Sequence, residues 1–538
     1  MVPAIVVERL YSLATVPSAG ARRVKVERVG GTFGGKYTQS VPVGAWAAVA
    51  ARAMNRPVKI VLKRLEDMVI TGKRHPAMVK YRVGTDKNGI LRCSYLKVYL
   101  DGGYAIDTTR VVTYMSSALS DTCYKIPVMR AEGYALKTNK SNNTTMRGCM
   151  LQTFFAMNGI LSHVAHAVNR PLEKVMEMNF NMSGGVRLSK QVIPKDALLE
   201  CWNECLQWSK FEKVRNEVDC FNKTSKDMKR GIAMSAVRMG VNQTGSAESC
   251  SADALVQIFP NGSVVVKIGG IEMKQGEYTK YLQIASRALG IPVSLFTIID
   301  SSTDMACDQS QSGGKGPDAY GQAIQACCEK LMVGLRQVLK EERDWGKAIL
   351  KAQEMHIPLM TSMRSHTNGD QTGKPQQPAS GSITGAACVV SQIDCRTGEQ
   401  QILSVDIVMD VGRILDPAVD VGQIEGALMM SYGSFTCEEL AYDNGKLFAD
   451  TFSKYKLPST SAAPRKIRVK LITERSSMKG YVQSPKDIGE PSLMLGVGIY
   501  ASLRYAIAAR RQDLGQTNFF GIAAPLTAAK ILSYCNPH

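Results

Sequence analysis

No apolar run in this chain approaches the ~18 residues that a membrane span requires, so membrane association is not expected. The first residues, Met1-Val2-Pro3-Ala4-Ile5-Val6-Val7-Glu8-Arg9, have no basic start, and two charges interrupt their apolar stretch. That argues against a secretory signal and for a cytoplasmic setting. Ordered cysteine spacing is also missing. Fourteen cysteines are scattered through the chain, and the local pairs, Cys201/Cys205 and Cys327-Cys328, lack the C-x-x-C spacing of a zinc or redox site. No run of cysteines could hold an iron–sulfur cluster. Reduced, mostly buried thiols are expected instead.

Acidic side chains are in deficit: 47 Asp and Glu against 66 Lys and Arg, a net charge of +19. Such a surplus can serve a polyanion. Here, however, the basic residues are dispersed. The densest spots, Arg22-Arg23 and Lys466-Ile467-Arg468-Val469-Lys470, are short, and the second alternates in the manner of an outer strand face. A solvated surface, or docking to an acidic neighbour, is expected rather than nucleic acid.

What is present is a globular balance, 45% hydrophobic and 21% charged, over 538 residues. That length implies roughly two to four domains. Turn chemistry predicts four hairpins, at Asp86-Lys87-Asn88-Gly89, Asn261-Gly262, Thr397-Gly398 and Asp443-Asn444-Gly445. Apolar residues three and four apart predict helices over Val43–Met54, Ala197–Trp208, Tyr278–Leu289, Asp318–Leu335, Val421–Met430 and Leu493–Ala509. Hairpins mixed with long helices indicate α+β architecture. A boundary is expected near Met182-Ser183-Gly184-Gly185, separating 1–185 from 186–538, and Thr361–Gly385 is expected to be a long surface loop.

Four motifs can carry chemistry. Gly30-Gly31-Thr32-Phe33-Gly34-Gly35-Lys36 lets backbone N–H groups approach an anion closely, though its spacing is neither a Walker A nor a dinucleotide fingerprint. Gly269-Gly270-Ile271-Glu272-Met273-Lys274-Gln275-Gly276 and Gln311-Ser312-Gly313-Gly314-Lys315-Gly316 each open a helix, where free N–H groups and the helix dipole favour anions. With Gly422-Gln423 entering another helix, these loops suggest a large, multiply charged ligand. In Lys486-Asp487-Ile488-Gly489-Glu490-Pro491-Ser492-Leu493, Glu490 is either a helix-start carboxylate that favours the dipole or a general base held against an apolar segment.

Taken together with Arg74-His75-Pro76, Cys123-Tyr124-Lys125-Ile126-Pro127, Arg147-Gly148, Asp406-Ile407-Val408-Met409-Asp410-Val411-Gly412 and Gly422-Gln423-Ile424-Glu425-Gly426-Ala427, these motifs resemble the xanthine dehydrogenase/aldehyde oxidase family. Their order and spacing match its carboxy-terminal, molybdenum-cofactor-binding region from about Val16 to Arg511. The resemblance implies two elongated molybdopterin-binding domains, the first lacking its amino-terminal part. The implied activity is hydroxylation of an aldehyde or N-heterocycle carbon with water-derived oxygen, and a homodimer. Molybdenum is then carried by molybdopterin rather than by His or Cys. The 2Fe-2S and FAD groups would belong to other domains of a longer chain or to partner subunits.

By position, the resemblance makes Glu490 the catalytic base and Arg147 a substrate-orienting residue. Phe33 and Gly34 fall in the loop against the metal, while Gln275, Gln423, Gly313 and Gly314 match positions that hold the pterin and its phosphate. Tyr37 and Met115 stand where purine-oxidising members carry a glutamate and an arginine, so the substrate pocket is more aldehyde-oxidase-like. Other departures are Cys149 for a phenylalanine, Gln243 near an expected aromatic, and Lys274 for a glycine. They leave open a second reading, a degenerate paralogue or fragment that keeps the fold without the cofactor.

Overall fold

The computed structural model describes residues 25, 26, 28–240, 251–299, 301, 302, 315–366, 382–472 and 488–537. After α1 (Ser40–Met54), the Asp86 carboxylate organises the first hairpin locally. It accepts from Asn88 N at 2.9 Å and Ile90 N at 3.0 Å, an Asx arrangement that reverses the chain. The turn joins β1 (Ala77–Thr85) to an antiparallel β2 (Leu91–Gly103). Alternation along β2 buries Ser94, Leu96, Val98 and Leu100 and leaves Tyr95, Lys97 and Tyr99 on the outer face. Next come α2 (Thr109–Ala118), then β3 (Val128–Lys137), which adds parallel to β2, and the apolar helices α3 (Leu151–Ala167) and α4 (Leu172–Met178).

Beyond the turn at Met182–Gly185 lie α5 (Leu198–Trp208), α6 (Phe211–Thr224) and β4 (Met228–Gly240). A smaller unit follows: β5 (Ser251–Ile258), β6 (Val264–Ile268), α7 (Glu277–Leu289), β7 (Phe296–Ile299), α8 (Lys315–Glu341) and β8 (Met360–His366). Its sheet runs β8-β5-β6-β7, and it has its own core around Tyr281, Ile284 and Ile324.

The chain then returns through β9 (Ser382–Asp394), β10 (Gln400–Asp410), α9 (Pro417–Thr436), β11 (Ile467–Ile472), α10 (Gly489–Leu495), α11 (Val497–Asp513) and α12 (Ala528–Cys535). The central sheet runs β11-β10-β9-β4. Helix α5 covers one of its faces and α11 the other, so β9 is buried almost throughout. The larger core draws on residues from both sides of Met182–Gly185. Truncating a fully buried member such as Trp202 to alanine typically costs about 3–5 kcal/mol. Helix α11 lies so close to β4 that a Cβ on Gly231 would stand 1.7 Å from the Ser502 carbonyl oxygen.

The α+β expectation, the four hairpins and the six helices are all present. Three details differ. Thr361–Gly385 is not one loop, because Thr361–His366 pairs with β5 and Ser382–Gly385 opens β9; 367–381 lies outside the described residues. The helix expected over Leu493–Ala509 starts at Gly489 and breaks at Gly496, where a Cβ would stand 2.0 Å from that of Ser431 on α9. Close packing of α9 sets that break. Against the expectation that no segment is long and apolar enough to span a bilayer, Gly489–Asp513 as a whole is, yet 78% of its apolar window is buried inside the fold, as in a core helix. As expected, the basic run at 466–470 lies on a strand, the edge strand β11, whose Arg468 and Lys470 pair with Asp406 and Glu204 at 2.5 Å each.

Candidate active site

Segments far apart in sequence close into a ring. In the Gly30–Lys36 loop, Val29 N donates to Glu272 O at 2.9 Å and Thr32 Oγ1 donates to Met273 Sδ at 3.2 Å. Phe33 O accepts from Arg147 N at 2.5 Å. Gly34, at φ +81°, passes so near the Thr145 carbonyl that a Cβ would lie 1.9 Å from its oxygen, and no side chain fits. From the other direction, Gln423 on α9 donates through Nε2 to Lys274 O at 3.3 Å, and its Oε1 lies 3.8 Å from where a Gly489 Cβ would stand. A Cβ on Gly148 would lie 3.5 Å from the Glu490 carboxyl carbon. The order is thus Phe33, Arg147-Gly148, Glu490, Gln423, Lys274, and back through Met273 to Thr32.

Glu490 occupies the first turn of α10 and is half-buried. The short helix is held from both sides: Ser235 Oγ donates to Leu495 O at 2.7 Å and Ser431 Oγ donates to Leu493 O. Against it stands Cys149. Burial, and next the Glu490 charge, push this thiol far above its usual range, with Arg74 opposing. It therefore stays protonated beside the carboxylate.

Arg147 and Gly148 both adopt left-handed backbone, at φ +56° and +75°. Arg74 fixes this turn, donating to Arg147 O at 2.7 Å and Gly148 O at 3.2 Å. Burial first, and then the neighbouring Arg147 charge, lower Arg74 to about 10. The Arg147 guanidinium points to Glu438, with Nη1 2.6 Å from both carboxylate oxygens, and Tyr455 Oη donates to Glu438 at 2.6 Å. Arg147 is therefore an ion-pair partner within this fold. Sequence reasoning missed Glu438 and Tyr455. A signal existed in Cys437-Glu438-Glu439, which puts two acids at the carboxy-terminal end of α9, where the dipole disfavours them unless cations answer.

The anion site expected at the start of α7 is already filled from within. The Glu272 carboxylate accepts from Gly276 N at 3.1 Å and Tyr278 N at 3.0 Å. Gln275 also turns inward, its Oε1 accepting from Met273 N and its Nε2 donating to Ile271 O. A buried pair, Lys280–Asp420, ties α7 to α9 one turn before Gln423.

Two models described as molybdopterin cofactor-binding domain match residues 3–180 and 204–464. A probable aldehyde oxidase of Caenorhabditis elegans is 37% identical over 95% of this chain, and the xanthine dehydrogenase of Drosophila pseudoobscura pseudoobscura is 35% identical over 97%. The chain belongs to the xanthine dehydrogenase/aldehyde oxidase family. It spans 41% and 40% of the length of these curated relatives, corresponding to their molybdopterin-binding region. The fold agrees: quinoline 2-oxidoreductase from Pseudomonas putida 86 superposes with a TM-score of 0.85 at 18% identity, over 99% of this chain and 71% of that one.

The residues present fit the family's cofactor. Gly30 in the first loop and Gly422 beside Gln423 have no heavy atom within 4 Å of where a Cβ would stand, so open backbone faces both loops. Among the described residues no cluster of three His, Cys, Asp or Glu could hold a bare metal ion. Gln423 directs Oε1 toward Gly489, on the side of Glu490; Gly313, Gly314 and Gln243 lie outside the described residues. Phe33 is 52% exposed at φ +47°, Tyr37 is half-buried in the turn before α1, and Met115 is buried in the main core on α2.

Lys274 sits at φ +69°, a left-handed conformation that glycine would take without cost. Lys274→Gly should therefore raise stability by up to about 1 kcal/mol, read as a higher urea midpoint. A lower midpoint would mean that the lysine side chain holds this turn.

Proposed function

We propose that this chain is the cofactor-carrying part of an aldehyde-oxidase-type molybdenum hydroxylase. The observation that carries the reading is the Glu490 carboxyl beside the Gly148 turn, inside a ring that also contains Phe33 and Gln423. The molybdenum cofactor, when bound, supplies the two-electron oxidation in which oxygen from water enters an electron-poor carbon. Gln423 and the open glycine backbones bind the pterin. Glu490 takes up, on a carboxylate oxygen, the proton released as that oxygen attacks. Arg74, Arg147 and Glu438 hold the facing turn rigid, so the base keeps its position. Iron–sulfur and flavin domains, from a longer chain or partner subunits, carry electrons away, and the assembly is a cytoplasmic homodimer.

The test is molybdenum content. Co-expressed with the amino-terminal part of a related family member under conditions that load that enzyme, the protein should carry molybdenum stoichiometric with the chain. Persistent absence of the metal would leave only the degenerate reading. Substrate choice follows from Tyr37 and Met115, which offer a purine no carboxylate–guanidinium pair. The loaded enzyme should show a higher kcat/KM for benzaldehyde than for xanthine. The opposite ranking would overturn the substrate assignment.

A further inference from the structure

A cavity of about 380 Å3 lies between α3, α4, α6, β4 and α11, outside the ring described above. Ser162, on its α3 wall, is eleven residues along the helix from Leu151, about 16 Å from the end next to Gly148. The cavity falls within the size range of small-molecule sites, and nothing in the proposed reaction uses it.

Its walls combine apolar surface with uncompensated positive charge. Ala165, Phe211, Ile232 and Met234 supply the apolar part. Arg170, Arg215 and Arg504 line it, against one carboxylate, Glu173, which is already paired with Arg215. Tyr505, also on the wall, donates its hydroxyl to Asp219 at 2.6 Å. Arg504 makes no ion pair among the described residues. Its guanidinium lies over Phe519 and Phe520, at 4.6 and 5.1 Å from the ring centroids, and donates only a 3.4 Å bond to Phe520 O. Burial lowers its pKa, as expected of a cation lacking a counter-charge. Ser162 is 5% exposed and lies on the same cavity. A hydroxyl and a partly desolvated guanidinium with no counter-charge among the described residues, on one cavity with apolar walls, suit the polar end of an anionic ligand.

We propose that this cavity binds a small organic carboxylate with an apolar body. The carboxylate would take its charge-assisted hydrogen bonds from Arg504 and Ser162 while the body packs against Ile232 and Met234. A bare phosphate would satisfy the cation but leave the apolar walls unmatched. The proposal stands independently of the role given to Glu490.

Calorimetric titration of the purified full chain with benzoate, and with benzyl alcohol as its neutral counterpart, tests it. Benzoate should bind at least about tenfold more tightly than the alcohol. Arg504→Met should weaken benzoate about 10- to 100-fold, and Ser162→Val, which removes only the hydroxyl, about 2- to 10-fold. Ala165→Phe should abolish binding by filling the space. Since a phenylalanine at 165 strains α3, the near-isosteric Ser162→Val and the two-ligand comparison on the unmodified chain decide the matter if that variant misfolds. No heat with benzoate, equal affinity for the alcohol, or full benzoate affinity in folded Arg504→Met and Ser162→Val would each overturn the assignment.

Discussion

Glu490→Gln should lower turnover by about 10²–10⁴-fold while molybdenum content and melting temperature stay near those of the parent. The amide keeps the size and hydrogen-bonding outline of the carboxylate but cannot accept the proton. If Glu490 served only the helix dipole at the start of α10, the same change would cost roughly 0.3–1 kcal/mol of stability and leave turnover intact. The two roles therefore move different observables. The assay uses the loaded enzyme, co-expressed with the amino-terminal part of a related family member, and an artificial electron acceptor. A Glu490→Gln variant that carries molybdenum and turns over at the parent rate would remove this residue from the mechanism.

Glu438→Ala should be the most destabilising single change near the site, by about 3–5 kcal/mol. Its carboxylate is the counter-charge to Arg147, with side chains 4% and 14% exposed, and the buried Arg74 stands next to them. Truncation would leave two neighbouring, largely buried guanidinium groups without that carboxylate, with the Tyr455 hydroxyl also losing its acceptor. Glu438→Gln, which keeps an acceptor but not the charge, should lose less. The loss appears as a lower melting temperature. Molybdenum content should fall with it, because the Arg147-Gly148 turn links the Phe33 loop to Glu490. A melting temperature indistinguishable from the parent's would show that Arg147 finds another partner, and would return it to the role of a substrate ligand.

Much of this protein is written in short-range chemistry. The Asp86 turn and the Asn-Gly reversals at 261–262 and 444–445 depend on the φ preferences and side-chain bonds of a few adjacent residues. The helices follow from apolar spacing, and the start of α10 places Glu490 in a first turn whatever surrounds it. One local feature escaped notice. Glu272 caps α7 from four and six residues away, so that helix start was never free for an outside anion.

The tertiary structure decided the rest, because packing and charge pairing depend on which faces meet, and sequence distance carries no record of that. Arg147 and Glu438 are 291 residues apart, and only the approach of the α9 carboxy-terminus to the 147–148 turn makes one the counter-ion of the other. The break at Gly496 comes from the nearness of Ser431, a steric fact of α9 and α10 crossing rather than a preference of either helix. The same holds for the ring of loops. Composition and spacing supplied its glycines, its glutamine and its glutamate one by one, but their distances from each other are set by α10 and α11 seated on a sheet buried on both faces. A hydroxyl at 162 and a guanidinium at 504 read as ordinary surface-helix residues until folding puts them on one cavity.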